Sequence, residues 1–241
     1  MSAAKKINFD ENLVLNAIQS LMDGQTSACH PRNPFYDLDL EILVRLDSLK
    51  SFELSSLVDL FGPRLTHHKY EITNLKYKQN LLDQLKGNLE SFGMSQSLVG
   101  DALSCADELI TNSIFNAPFE SGMDRSTKNV EIPGSRPIQI EVSDAESDVV
   151  LSCTDPFGSL KYQPYFEKIM SCYQKGLADS INYGLGGSGI GSFMVLERVL
   201  SLIIGLAPGK RTSFYCRFPK KMSLKVKNSL PKNLIAFTKG D

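Results

Sequence analysis

SQSLVGDALSCADELITNSIFNAP, residues 95–118, is the stretch on which the fold turns. Its apolar positions are Leu98, Val99, Ala102, Leu103, Ala106, Leu109, Ile110 and Ile114. They recur at the 3.6-residue period of an amphipathic helix. Ser95 or Ser97 can cap its start and Pro118 closes it. Glu108, Asn112 and Asn116 stand four residues apart on this helix. Four residues advance about 400°, so the three polar groups form one stripe that drifts only ~40° per step.

Working outward, Tyr77–Phe92 is a second amphipathic helix with Leu81, Leu82, Leu85 and Leu89 on one side, and Gly93 is suited to its C-cap. Before it, Lys69–Leu75 reads as a strand. Residues 1–65 read as a helical N-terminal segment, with helices after Asp10 and over Asp37–Leu49 and Glu53–Phe61. Downstream come two alternating strands, Ile138–Val142 and Val149–Thr154. A loop-and-helix segment follows from Gly158 to Tyr183. A glycine-rich turn then opens an apolar helix over Ile190–Ile204. Thr212–Phe218 is a further strand, and Asn233–Thr238 adds a last one. Helices and strands are segregated, so the expectation is α+β: a two-layer sandwich of a mixed, mainly antiparallel sheet with helices on one face. The boundaries expected are 1–65, a domain over 66–220, and a C-terminal extension over 221–241.

The chain has 241 residues, 42% of them apolar, and a formal net charge of −1. No global field draws it to nucleic acid or a membrane. The basic cluster Lys220, Lys221, Lys225 and Lys227 reads as a solvated tail. Five cysteines without a CxxC pair, and an N-terminus without an apolar leader, predict reduced thiols and a cytoplasmic protein. The longest apolar tract, within Val195–Leu206, is interrupted by Glu197, Arg198 and Ser201 and falls short of the ~20 residues of a membrane span.

Four pieces carry candidate chemistry. The carboxylate and carboxamides of Glu108, Asn112 and Asn116 can meet a cation and its phosphates, Mg²⁺ taking few ligands from protein. Asp155, in Thr154-Asp155-Pro156-Phe157-Gly158, follows a strand and can accept from an exocyclic amine such as that of adenine, although the same residues suit an ordinary turn. Gly184-Leu185-Gly186-Gly187-Ser188-Gly189-Ile190-Gly191 lets backbone approach an anion at a helix N-terminus. The stretch spells GxGxxG, but no strand precedes it and no acid stands ~20 residues on, so a dinucleotide fold is excluded. A Walker A loop is excluded too, because no Gly-Lys-Ser/Thr follows. Gly209-Lys210-Arg211-Thr212 reads by itself as a hairpin turn.

The order of these pieces over about residues 66–220 resembles the GHKL family of ATP-binding domains, the type found in gyrase and histidine kinases. In compact spacing it is most similar to bacterial anti-sigma-factor serine kinases. The resemblance implies a Bergerat-type fold that binds ATP with Mg²⁺. By that resemblance Glu108 is the catalytic base, Asn112 the Mg²⁺ ligand, and Asn116 stands near the phosphates. Asp155 binds the adenine amine within a box that includes Gly158, and Thr212 holds adenine through water. Gly187, Gly189 and Gly191 pass beside the phosphates, and 161–183 corresponds to a mobile lid. The chain departs from the pattern at Phe157 and Ser159, which replace glycines, and at Lys210 and Arg211, which interrupt a Gly-Thr pair. Two functions follow as expectations. One is an ATP-dependent serine/threonine kinase acting on a regulatory partner of the sigma-factor or anti-sigma-antagonist type. The other is a non-catalytic adenine-nucleotide module. Neither requires nucleic acid or membrane contact, and a homodimer is compatible with both.

Overall fold

The computed structural model describes residues 27–29, 64–118, 130–132, 136–145, 147–180, 190–230 and 232–238. The helices expected within 1–65 lie outside these residues.

In chain order the elements are β1 (Ser27–Cys29), β2 (Arg64–Ile72), a single 3-10 turn (Leu75–Tyr77), α1 (Lys78–Ser91), α2 (Gln96–Phe115), β3 (Ile138–Ala145), β4 (Asp148–Asp155), α3 (Tyr162–Lys175), α4 (Leu177–Ser180), α5 (Gly191–Arg198), β5 (Ser201–Ala207), β6 (Arg211–Pro219), α6 (Leu224–Ser229) and β7 (Asn233–Thr238). The strands form one sheet in the order β1-β7-β5-β6-β4-β3-β2. Every neighbouring pair is antiparallel except β5 and β7. The architecture is therefore α+β with an open, mostly antiparallel sheet.

Alternation within the strands sends Ile140, Val142, Leu151, Cys153, Phe214, Cys216, Leu202 and Ile204 to the face that carries the helices. The periodic stripes of α1 and α2 pack onto it, with Leu85, Leu98, Ala102, Cys105 and Ile110 fully shielded from solvent. The β5–β6 hairpin turns at Gly209, whose φ of +67° is a left-handed conformation that suits glycine. Lys210 N–H closes the turn by donating to the Ala207 carbonyl at 3.0 Å.

Two sequence expectations are corrected. Ile190–Ile204 is not one helix: α5 ends at Arg198, Val199 is extended, and β5 begins at Ser201. β5 is buried on both faces, so its apolar run lacks the alternation that would mark a strand. The basic cluster is only in part a solvated tail. Lys221 and Lys225 are exposed, but Lys227 is 1% exposed and Lys232 fully buried. Lys227 Nζ pairs with Asp101 of α2 at 2.5 Å and donates to the Arg198 carbonyl, at the C-terminal end of α5, at 2.7 Å. A cation there complements the negative end of the helix dipole. Lys220 forms a shielded ion pair with Asp144. Among the described residues no helix is long and apolar enough to cross a membrane.

Candidate functional site

The α2 stripe exists as a hydrogen-bonded ladder. Asn116 Nδ2 donates to Asn112 Oδ1 at 3.0 Å, and Asn112 Nδ2 donates to Glu108 Oε1 at 2.9 Å. Glu108 and Asn112 are half-buried and Asn116 is exposed. At the upper end of the ladder, Glu108 reaches the first turn of α5. A Cβ on Gly191 would stand 1.7 Å from Glu108 Oε1, so the carboxylate takes the space that any side chain there would fill. The N-terminal end of a helix favours a carboxylate through its free amides and dipole. Gly187 and Gly189 lie outside the described residues.

Asp155 and Thr212 are register partners at the ends of β4 and β6. Asp155 is 4% exposed and Thr212 1%. Asp155 Oδ1 accepts from Phe157 N–H at 2.9 Å and Gly158 N–H at 3.3 Å, closing an Asx turn. Burial pushes the Asp155 carboxyl up to about 6; the Phe157, Gly158 and Thr212 groups pull against that rise. Thr212 Oγ1 lies beside the carboxylate yet makes no hydrogen bond of good geometry among the described residues.

Gly158 belongs to the packing of this corner. Its φ is +62°, and an added Cβ would stand 2.2 Å from the Ala207 carbonyl oxygen and 2.7 Å from the amides of Lys210 and Arg211. Its own carbonyl accepts from Gly209 N–H at 3.1 Å. The Asp155 turn thus sits flush on the β5–β6 hairpin. Ser159 Oγ donates to the Ala117 carbonyl at 2.8 Å, which ties the corner to the end of α2.

The segment read as a lid contains α3, with Tyr162, Phe166, Ile169 and Cys172 buried. Tyr165 escaped the sequence reading as a site residue. Its ring lies 5.8 Å from that of Phe214, its hydroxyl bonds Ser192 of α5, and it feels the Glu108 charge. The 3–4 spacing of Tyr162, Tyr165, Phe166, Ile169 and Tyr173 was the available signal. Tyr173 Oη donates to Glu197 at 2.5 Å and latches α3 to α5.

A cavity of about 210 Å³ lies between α2 and α5, lined by Ser104, Cys105, Glu108, Gly191, Met194 and Arg198. Small-molecule sites usually offer about 300–1,000 Å³. The described part of the cavity therefore admits waters or a side chain to Glu108. Among the described residues no three His, Cys, Asp or Glu groups converge as a ready-made metal centre. Asn112 Oδ1, the oxygen that could meet a cation, is engaged by Asn116. No protein-family model matches the chain, and no curated protein matches it.

Proposed function

We propose that this chain is an adenine-nucleotide-binding regulatory protein with a Bergerat-type, GHKL-like fold, acting as a serine/threonine kinase on a partner protein. The observation that carries the reading is the buried Asp155–Thr212 pair, a carboxylate beside a hydroxyl whose hydrogen-bonding capacity is not used up internally. Such a pair suits an exocyclic amine and an intervening water, because a buried polar group left without a partner costs about 1–3 kcal/mol. Above a pH of about 6 Asp155 is ionised and acts as an acceptor only.

Glu108 is the group that would take or orient the acceptor hydroxyl's proton, and the α2–α5 cavity keeps its carboxylate within reach of solvent. Asn112 would hold Mg²⁺ through its single carboxamide oxygen, the remaining ligands being water and phosphate oxygens. When bound, that ion supplies charge neutralisation at the phosphates. Asn116 is exposed, so its hydrogen bond to Asn112 Oδ1 is a surface one, worth about 1 kcal/mol.

A second reading, a nucleotide-responsive module without turnover, is favoured by α3. Its Tyr165 packs beside Phe214 and feels the Glu108 charge, and its apolar face is in the core. Titration with ATP, ADP and GTP, each with and without Mg²⁺, tests both readings. The expected result is adenine-selective binding strengthened by Mg²⁺; equal, negligible binding of all three removes both. Labelled ATP with the soluble proteome of the source then separates them: label on a partner that Glu108→Gln abolishes supports the kinase.

A further inference from the structure

Helices α2 and α5 run antiparallel where they meet. The Gly191 position lies against Glu108, and Arg198 Nε stands 3.7 Å from Asp101 Oδ1. Residues 101 to 108 and 191 to 198 therefore face each other over two helical turns, about 10 Å at ~1.5 Å per residue. The cavity of about 210 Å³ occupies this stretch. It is a groove with a carboxylate, Glu108, at one end and a guanidinium, Arg198, at the other. Met194, Val195 and Ile190 give it an apolar wall, and the exposed Ser104 stands on its rim.

Arg198 is only partly committed to the fold. Asp101, its ion-pair partner, gives its other carboxylate oxygen to Lys227 Nζ at 2.5 Å. Two cations thus share one carboxylate, and this end of the groove is left with positive charge among the described residues. Arg198 Nη1 donates to the Met194 carbonyl at 3.1 Å, one turn back along α5. That bond draws the guanidinium toward Glu108, so the two charges stand roughly 6–10 Å apart. The Arg198 side chain is 27% exposed, and its Nη2 makes no hydrogen bond among the described residues.

A guanidinium with unused N–H groups in a partly water-excluded groove suits a carboxylate, which it binds through charge-assisted hydrogen bonds of planar geometry. The Glu108 end, an acceptor when ionised, suits a hydroxyl. An extended peptide advances about 3.3 Å per residue, so two or three residues span the interval. Its side chains can reach both ends from a main chain lying along the exposed rim.

We propose that the α2–α5 groove binds an acidic segment of the partner protein, in which an Asp or Glu two or three positions from the acceptor serine or threonine pairs with Arg198. Arg198 is then a specificity-determining residue, and the groove aims the acceptor hydroxyl at Glu108. The hydroxyl half of this motif rests on the kinase reading; the acidic half rests on Arg198 and the groove alone.

An immobilised library of serine-centred peptides, with Glu or Gln at each of the three positions on either side, tests it. The full-length protein is applied without nucleotide at low salt, and label transfer from ATP is read separately. Peptides with Glu two or three positions from the serine are expected to retain about tenfold more protein than their Gln counterparts, a preference that fades at high salt. Arg198→Gln should bring the preference below about twofold and Arg198→Lys should keep part of it. A residue that only shaped the fold would lower retention of Glu and Gln peptides alike. Ser104→Trp crowds the groove at its exposed rim and leaves both charges in place. It should weaken retention of the Glu peptides about fivefold or more, and it supplies the comparison if Arg198→Gln does not fold. Equal retention of Glu and Gln peptides by the wild type overturns the proposal, as does retention of no peptide at all. So does a Glu preference that survives Arg198→Gln or, in its place, Ser104→Trp. An Arg198-dependent preference without any label transfer leaves the groove assigned and removes the kinase reading instead.

Discussion

Asp155 shows how one side chain can serve both fold and ligand. Its carboxyl is raised to about 6 by burial, against an ordinary value near 3.9. A carboxyl raised in the folded state binds more protons there than in the unfolded chain. Its contribution to stability is therefore full below about pH 4 and is lost as pH rises through 6. Two units correspond to about 3 kcal/mol. Asp155→Asn should abolish this fall in denaturation curves taken from pH 4 to 7, while weakening ATP about tenfold. A variant that keeps both the slope and the affinity of the wild type would remove Asp155 from the site. The two described glycines of the site separate by the same reasoning. At Gly158 a methyl group meets backbone that cannot yield, in a left-handed conformation, so Gly158→Ala should destabilise by roughly 2–4 kcal/mol. At Gly191 the obstacle is the end of the Glu108 side chain, which can rotate aside. Gly191→Ala should thus cost about 1 kcal/mol or less in urea unfolding, yet displace Glu108 and disturb any Mg²⁺-dependent step. Equal losses at the two positions would contradict this distinction.

Elements were legible in proportion to their one-sidedness. α1 and α2 bury a single stripe, so spacing alone places them to within a residue or two. The β3–β4 and β6 strands alternate between faces and were legible for that reason, whereas the pairing of Asp155 with Thr212 is set by the β4–β6 register, which alternation alone does not specify. β5 was misread because its two faces are equally apolar, and period cannot separate a doubly buried strand from a buried helix. The role of Gly158 was not legible either, because its neighbours Ala207, Lys210 and Arg211 lie about fifty residues on and only the closed hairpin brings them near. α3 bears most directly on function. A lid that opens freely would leave its apolar side chains in water, yet Phe166 is 3% exposed and stacks on Tyr162 at 5.6 Å. Residues 162–175 should therefore exchange their amides slowly even without nucleotide, and Phe166→Ala should cost about 3–5 kcal/mol in chemical denaturation. Exchange at exposed-loop rates across 162–175 in the free protein would restore the lid reading for the whole segment.

At the scale of the molecule, the two helices that meet at Glu108 are fixed at their far ends by the C-terminal segment. Lys227 bridges Asp101 of α2 and the Arg198 carbonyl at the end of α5, and Lys232 Nζ in turn donates to the Lys227 carbonyl at 3.2 Å. β7 then enters the sheet parallel to β5. Residues 224–230 and 232–238 thus meet both layers, and they are expected to help set the distance between Glu108 and Gly191. A buried cation is stabilising only while its partners remain. Removing Lys227 alone leaves the Asp101 carboxylate, 19% exposed, with Arg198 at 3.7 Å as its remaining cation among the described residues. Lys227→Met should accordingly destabilise by about 3–5 kcal/mol. Asp101→Asn, made in the Lys227→Met background, should recover part of that loss, because the uncompensated charge is gone while the methionine still fills the lysine's apolar path. Urea unfolding of the wild type, both single variants and the double variant closes the cycle. A coupling within about 0.5 kcal/mol of zero would mean that the two residues act independently. The spacing of α2 and α5, and with it the position of Glu108, would then have to be set by their direct packing alone.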